Sequence, residues 1–183
     1  MKIYFATGNS GKVENARNIL SDCQVEQLDV ETFEPQSGSI EEIAESKVKQ
    51  AVKKSDIDED AFLIADDSGL FVDELNGFPG PLSSPFDSMV GKGKLLDLVD
   101  VGADAQFKAA IALHKPNGKN QVFTGNIKGE IVKPRGNKGF GYDPMFLPKG
   151  SDDTWGEDPD FKDQTSHREE ALIELKEFIG CLE

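Results

Sequence analysis

The sequence has no long hydrophobic run. No window approaches 18 uninterrupted apolar residues, which excludes a predicted membrane span. Cysteine is scarce as well: Cys23 and Cys181 lie far apart without metal-ligand spacing, which favours free thiols in a reducing compartment. The first residues turn polar too early for a signal peptide and predict a strand. We therefore expect a cytoplasmic protein that has no membrane segment.

Positive charge is also in short supply. The chain carries 20 Lys and Arg against 34 Asp and Glu, a net charge of −14. This balance argues against non-specific binding to nucleic acid or to an anionic membrane. A polyanionic ligand would need a local group of basic residues, hydrogen-bond donors or metal. With 183 residues and no internal repeat or linker, the chain is expected to form a single domain over residues 1–183.

Two adjacent carboxylates follow an apolar run in the middle of the chain. Residues 62–65 (FLIA) read as a buried strand that delivers Asp66 and Asp67 to the rim of a sheet, with Gly69 breaking the pattern. Adjacent strand residues point to opposite faces, so one carboxylate can enter a cleft while the other braces it. An uncompensated carboxylate there favours a bound cation; the alternative is a strand that ends in a solvated acidic turn.

The N-terminal segment predicts a strand, a polar turn and a helix. Residues 2–6 form the strand, Thr7 to Gly11 the turn, and the helix runs from about Lys12 to Leu20. Free N–H groups and the helix dipole bind phosphate at such a start, and Lys12 adds a full charge. The spacing is not that of a Walker A loop, and an ordinary strand-to-helix connection is the alternative.

Further elements alternate between helix and strand. Ser39 is predicted to cap a helix that ends near residue 54, and residues 105–113 and 121–125 predict a β-hairpin. Residues 166–179 predict a last helix with one apolar face. Residues 83–93 are weakly patterned, residues 94–99 predict a short helix, and residues 152–163 are expected to form an acidic loop.

The C-terminal third carries side chains suited to a nucleobase. Phe140 and Tyr142, separated by Gly141, present flat faces for stacking, and Asp143 can accept a hydrogen bond from a ring N–H. A core strand with turn glycines is the alternative. Arg168 lies in the first turn of the last helix, an electropositive position where arginine needs an anion or carbonyl group to bind.

Taken together, these segments resemble the inosine triphosphate pyrophosphatase family, which hydrolyses non-standard purine nucleoside triphosphates. The resemblance covers almost the whole chain, in the family's order and nearly at its spacing. Its pieces are Thr7-Gly8-Asn9 with Lys12, then Ala65 to Leu70, Gly77 to Gly80, Gly139 to Phe146, and Lys162 followed by Ser166-His167-Arg168.

The resemblance implies an α/β fold, with an elongated mixed central sheet flanked by helices, in two lobes with a nucleotide cleft between them. It also implies a homodimer. The implied activity is that of a nucleoside triphosphate pyrophosphohydrolase. ITP, dITP or XTP would be cleaved by Mg²⁺-dependent attack of water at the α-phosphate, releasing the monophosphate and pyrophosphate.

The same resemblance implies the site residues. Asp67 and Lys12 would be catalytic, with Asp67 binding Mg²⁺ and orienting or deprotonating the water, while Asp66 and Glu34 support the metal shell. Lys162, His167 and Arg168 would face the 6-keto oxygen of the base, where the amino group of adenine leaves donors unpaired. The implied substrate-binding residues are Thr7, Gly8, Asn9, Lys12, Ser68, Phe140, Gly141, Tyr142, Asp143, Lys162, Ser166, His167 and Arg168.

The segment after Gly80 is among the places where the chain departs from the family pattern. After Gly80 the chain has no basic residue until Lys92, which puts a triphosphate contact from that loop in doubt.

Two alternatives stay open: a septum-inhibitor-type nucleotide pyrophosphatase of related fold, and a nucleotide-binding sensor that does not hydrolyse its ligand. The helix start at Ser166 disfavours the first, and the retained Asp66 and Asp67 disfavour the second.

Overall fold

Strands and helices alternate along the first part of the chain, and long strands dominate its middle. The computed structural model describes residues 1–58, 60–116 and 118–180, and within these ranges it has seven strands and five α-helices. The strands are β1 (Lys2–Ala6), β2 (Gln24–Leu28), β3 (Phe62–Val72), β4 (Pro79–Gly80), β5 (Ala103–His114), β6 (Asn120–Ile131) and β7 (Phe146–Pro148). The α-helices are α1 (Ser10–Ile19), α2 (Ile40–Lys54), α3 (Ser83–Met89), α4 (Pro159–Thr165) and α5 (His167–Gly180).

All seven strands belong to one mixed sheet. Its order is β2-β1-β3-β5-β6-β7, with β4 paired to β3. Strand β1 runs parallel to both β2 and β3, whereas β4 is antiparallel to β3 and β7 is antiparallel to β6. The predicted α/β class with a mixed sheet and flanking helices is confirmed. The predicted hairpin is confirmed too, since β5 and β6 are neighbours joined by the short turn after His114.

Strand β3 is longer than the sequence pattern predicts. It continues unbroken through Asp66, Asp67 and Gly69, so the prediction that Gly69 ends the strand was wrong. Gly69 is needed for a different reason: a Cβ there would lie 2.0 Å from the carbonyl oxygen of Gly80 on β4. The two carboxylates therefore lie inside a strand, not at its end.

Two compact units share these elements. The first comprises Met1–Asp67, Ala109–Gly125 and Arg168–Glu183, and the second Ser68–Lys108 and Asn126–His167. In the first unit, apolar faces of α1 and α5 pack on strands in a core that includes Phe5, Leu20, Ile111 and Leu175. The core of the second unit is richer in aromatic residues; it contains Tyr142, Phe146 and Trp155 together with Leu70, Leu95 and Ile131.

Several helix predictions needed correction. Helix α1 begins at Ser10, two residues earlier than predicted, because Asn9 caps it. The weakly patterned residues 83–89 form α3. Residues 92–97 form a 3₁₀ helix, two residues before the short helix predicted over residues 94–99. Helix α4, capped by Asp158, begins within the predicted acidic loop at residues 152–163 and ends beyond it. Cys23 is half-buried and packs against the core of the first unit, while Cys181 lies outside the described residues. In the described ranges no helix is long and apolar enough to span a membrane.

Candidate active site

Asp66 is buried between two cations. Lys12 Nζ donates to its Oδ1 at 2.8 Å, and Arg168 Nε donates to its Oδ2 at 3.0 Å. Burial alone would raise the pKa of Asp66, but these two cations hold it well below its usual range. Burial in turn lowers the pKa of Lys12, an effect that Asp66 opposes. Asp66 is therefore an ionised anchor for the side chains of α1 and α5.

Asp67 is also buried but much less compensated. Lys47 Nζ lies 3.7 Å from its Oδ1, and its buried Oδ2 accepts no hydrogen bond from the described part of the chain. Burial raises the pKa of Asp67 to about 7; Glu34 and Asp66 act in the same direction, and Lys47 opposes them. A carboxylate with this pKa can accept a proton near neutral pH.

Lys47 is a site residue that the motifs did not identify. Its Nζ lies 2.9 Å from Glu34 Oε1, so a single ammonium contacts the carboxylates of Glu34 and Asp67. Burial disfavours the charged form of Lys47, but nearby carboxylates, Asp66 first among them, raise its pKa overall. The signal that could have found it is its place on α2. Lysine at this position interrupts the otherwise buried stripe, whose members are Ile40, Ile43, Ala44, Val48 and Ala51.

The implied metal ligands are not gathered into one cluster. Among the described residues, no group of three or more His, Cys, Asp or Glu is placed to hold a metal ion. Asp66 is engaged by Lys12 and Arg168, whereas Glu34 and Asp67 meet at Lys47. Magnesium is commonly held by one or two carboxylates together with substrate phosphates. Asp67 Oδ2, which has no hydrogen-bond partner in the part of the chain that the structure describes, and the carboxylate of Glu34 fit that requirement. Asp66, held by Lys12 and Arg168, does not fit it in this arrangement.

The predicted phosphate turn is closed by its own side chains. Asn9 Oδ1 accepts from the N–H groups of Gly11 and Lys12 at 2.9 and 3.3 Å, and Thr7 Oγ1 accepts from Asn9 N at 3.1 Å. Gly8 is exposed between them. The N–H groups of Gly11 and Lys12 at the start of α1 are thus already capped. The charge that remains at this helix start is the ammonium of Lys12.

In the second unit, Lys162 connects an aromatic ring to a buried carboxylate. Its Nζ lies 4.0 Å from the ring centroid of Phe140 and 2.8 and 2.7 Å from the two carboxylate oxygens of Asp143. Asp143 Oδ2 also accepts from the backbone N–H of Phe140 at 2.8 Å. Phe140 is 67% exposed, which leaves its ring accessible for stacking. A Cβ at Gly139 would lie 2.3 Å from Asp143 Oδ2, so this turn requires glycine.

Tyr142 and Asp143 differ from their expected arrangement. Tyr142 is buried in the core of the second unit, where its hydroxyl donates to the carbonyl of Ser83 at 2.9 Å. In this structure it supports the turn and does not present a stacking face. Asp143 already accepts from Lys162 and Phe140, so the described contacts make it the residue that orients Lys162.

The other predicted base-binding residues lie around the ends of α4 and α5. His167 is buried and stacks on Phe107, with ring centroids 5.1 Å apart and an interplanar angle of 21°. Ser166 is buried at the end of α4. The structure places Arg168 on Asp66 in the first unit, whereas Phe140, Lys162 and His167 lie in the second. Ser68 is half-buried on β3, and Gly141 has a left-handed backbone with φ of 56°.

The chain is similar to known proteins over nearly its whole length. A model described as the Ham1 family matches residues 3–178. A dITP/XTP pyrophosphatase of Methanopyrus kandleri is 39% identical over 184 residues, covering 97% of this chain and 96% of the relative. Another, from Thermococcus kodakarensis, is 40% identical over 185 residues, covering 98% and 97%.

Solved structures give the same picture. The Ham1 protein of Staphylococcus aureus matches with a TM-score of 0.86 and 32% identity, covering 100% of both chains. A nucleoside-triphosphatase (dITP/XTP pyrophosphatase) of Mycobacterium abscessus matches with a TM-score of 0.75 and 35% identity, covering 96% of this chain and 97% of the other. Fold and sequence are thus similar across nearly the whole length.

Proposed function

This chain belongs to the Ham1 family, and on that premise we propose that it hydrolyses dITP, ITP and XTP to the nucleoside monophosphate and pyrophosphate. The observation that carries the proposal is the unequal treatment of two adjacent carboxylates on β3. Asp66 is held ionised by two cations, while Asp67 has one oxygen without a hydrogen-bond partner among the described residues and a pKa that burial raises to about 7. Hydrolysis needs such a base beside a group of cations that can meet phosphate.

In the proposed reaction, Asp67 takes a proton from water as the water oxygen bonds to the α-phosphorus. The bond between that phosphorus and the bridging oxygen breaks, and pyrophosphate leaves. Lys12 would hold Asp66 and a phosphate oxygen together, because an ammonium has three N–H donors. Thr7, Gly8 and Asn9 then act through the start of α1, which fixes where Lys12 emerges.

Magnesium is part of the proposal. Glu34 and Asp67 are the side chains that would hold it, and Asp66 would contribute charge without direct contact. When bound, the ion would neutralise phosphate charge and lower the pKa of bound water. The chain's own contribution is to keep Asp67 buried and to hold the more exposed carboxylate of Glu34 close to it through Lys47.

The base would be recognised by the second unit. Phe140 offers the exposed ring for stacking, and Lys162, oriented by Asp143, offers N–H donors to a keto oxygen. We retain Ser166, His167 and Arg168 as base-binding residues in the proposal, with Arg168 reaching the base from its contact with Asp66. A two-lobed arrangement, in which one nucleotide reaches both groups, belongs to the same proposal.

Pyrophosphate release from ITP, dITP, XTP, GTP and ATP, measured with and without Mg²⁺, tests the proposal. We expect turnover of the first three to exceed that of ATP and GTP by several orders of magnitude. ITP that is bound but never hydrolysed would favour the sensor alternative. Preference for a methylated or pyrimidine nucleotide would favour the septum-inhibitor-type alternative, and equal turnover of ATP and ITP would contradict the proposed base site.

We also propose that residues 1–183 act as one catalytic domain and that the protein is a cytoplasmic homodimer. The family resemblance supports the single domain and the homodimer, and the scarcity of cysteine supports a reducing, cytoplasmic compartment. Sedimentation equilibrium of the full chain measures the assembly state, and a mass equal to the 20.0 kDa chain would contradict the dimer.

A further inference from the structure

We propose that Lys47 is an internal cation that occupies the position between Glu34 and Asp67 in the metal-free protein and is displaced when Mg²⁺ binds. This inference rests on the proposed function, because it takes these two carboxylates as the metal ligands. It gives a role to a residue that none of the recognised motifs contains.

The contacts of Lys47 are those that a divalent cation would make. Its Nζ lies 2.9 Å from Glu34 Oε1 and 3.7 Å from Asp67 Oδ1, and its side chain is only 14% exposed. One positive charge therefore serves two carboxylates. Within the described residues, Asp67 Oδ2 is buried without a hydrogen-bond partner, so this pair of carboxylates still lacks positive charge. A cation of charge two suits them better than an ammonium.

Helix α2 keeps Glu34 at this position. Two side chains of α2 hydrogen-bond to the backbone of the segment before the helix. These two residues lie one and two helical turns beyond Lys47. Gln50 accepts from Phe33 N at 3.1 Å and donates to Phe33 O at 2.9 Å, and Lys54 Nζ donates to Glu31 O at 2.8 Å. The Glu34 segment thus has anchors that do not depend on Lys47. Removing the ammonium would leave the carboxylate in reach of a metal.

Lys47 is better suited to being displaced than the other buried cations. Lys12 and Arg168 are tied to Asp66 by contacts of 2.8 and 3.0 Å, whereas the Lys47–Asp67 contact is long at 3.7 Å. The backbone of Lys47 is fixed within α2, but its four-carbon stem allows the ammonium to move. Metal and ammonium then compete for the same oxygens. Loss of the ammonium should strengthen metal binding and lower the stability of the metal-free protein.

The test uses Mn²⁺ alone, without nucleotide, and follows free Mn²⁺ by electron paramagnetic resonance. We expect Lys47→Met to bind Mn²⁺ about tenfold more tightly than the wild type, equivalent to about 1.4 kcal/mol. In EDTA its thermal midpoint should fall, and added Mn²⁺ should restore it. Lys47→Arg, which keeps the charge, should not bind more tightly. Lys49→Met on the exposed side of α2, where Lys49 pairs with Glu45, is the matched control and should match the wild type.

The outcomes separate this inference from the proposed function. Wild-type binding of Mn²⁺ that Lys47→Met leaves unchanged or weakens would overturn the displacement inference and leave the metal site standing. A wild type that binds no Mn²⁺ would overturn both the inference and the two-carboxylate metal site. If Lys47→Met does not fold, Lys47→Gln takes its place, with the same expected tightening.

Discussion

Asp66 and Asp67 are adjacent on strand β3, but their electrostatic environments are opposite. Asp66 and Asp67 are 1% and 6% exposed, so burial does not distinguish them. The difference lies in the number of cations. Lys12 and Arg168 both contact Asp66, and its pKa is depressed, while Asp67 shares Lys47 with Glu34, and its pKa is raised to about 7. One side of the strand is thus a stable ion-pair network, and the other retains unsatisfied negative charge that can take up a proton or a cation.

The largest expected effect concerns Asp67, the carboxylate with fewer cations around it. Asp67→Asn should lower turnover of ITP by about 10²–10⁴-fold or more, because it removes the proposed proton acceptor and a proposed metal ligand. ITP binding, measured by calorimetry, should remain. Asp58→Asn, at an exposed ion pair with Lys2, serves as the control. Full activity of Asp67→Asn would contradict the assignment of the base.

Asp66→Asn should show its main effect in stability. The substitution leaves the charges of Lys12 and Arg168 next to a neutral amide, and breaking such a buried network lowers the free energy of unfolding by about 3–5 kcal/mol. Urea denaturation of the metal-free protein measures this change. Asp67→Asn should be neutral or stabilising at about pH 8 in the same assay, since it removes a poorly compensated carboxylate. Equal losses for both variants would remove the contrast between the two sides.

Arg168 contacts Asp66 and is also a proposed base-binding residue. The family resemblance predicts that Arg168→Ala loses the preference for ITP over ATP, and the contact with Asp66 adds a loss of stability. We expect the ratio of kcat/KM for ITP to that for ATP to fall by at least about tenfold, the size of one lost hydrogen bond to a charged group. An unchanged ratio together with lower stability would assign Arg168 to Asp66 alone.

The pH dependence of stability should also separate the two carboxylates. In EDTA, the pKa of Asp67 is the ordinary 3.8 in the unfolded chain and about 7 in the folded protein, because burial raises it; Lys47 opposes this rise, and Glu34 and Asp66 add to it. The folded state binds its proton more tightly, so the stabilisation is complete below about pH 4 and is lost as the pH rises through about 7. Asp66 has the opposite sign: its stabilisation is lost only in acid, as the pH falls through its depressed pKa.

This prediction is measured as the difference in unfolding free energy between the wild type and Asp67→Asn at about pH 5, 6, 7 and 8. The wild type should lose stability relative to the variant as the pH rises, by at most about 1.4 kcal/mol per pH unit. Parallel curves for the two proteins would show that Asp67 has an ordinary pKa in the folded state.

The sequence predicted the class of fold better than the contacts within the site. The α/β class, the hairpin and the last helix follow from local periodicity and turn residues, which a single sequence records. The partners of Asp66 do not, because they lie 54 and 102 residues away along the chain. The continuous β3 was missed for the same reason: the close approach of Gly80 to Gly69 is a tertiary contact.

Two aromatic residues show the same limit within one motif. The alternation of Phe140, Gly141 and Tyr142 predicts two equivalent stacking faces, yet Phe140 is exposed and Tyr142 is buried against Ser83. Which ring faces the core depends on neighbouring elements, and local sequence does not record them. For Lys47 the sequence does contain a local signal, because a charged lysine interrupts the buried apolar stripe of α2. That signal lies outside the motifs of the family.

The smallest predicted effect concerns Gln50, which holds the segment that carries Glu34. Gln50→Ala removes both hydrogen bonds to the backbone of Phe33 and so loosens the segment that carries Glu34. Residues that orient metal ligands typically contribute at least about tenfold to metal affinity. We expect the Mg²⁺ concentration for half-maximal activity to rise about tenfold, while kcat at saturating Mg²⁺ stays near that of the wild type. Lys49→Ala, one residue away and exposed, should leave both quantities unchanged. A lower kcat with an unchanged Mg²⁺ requirement would mean that Gln50 supports the fold of α2 and not the position of Glu34.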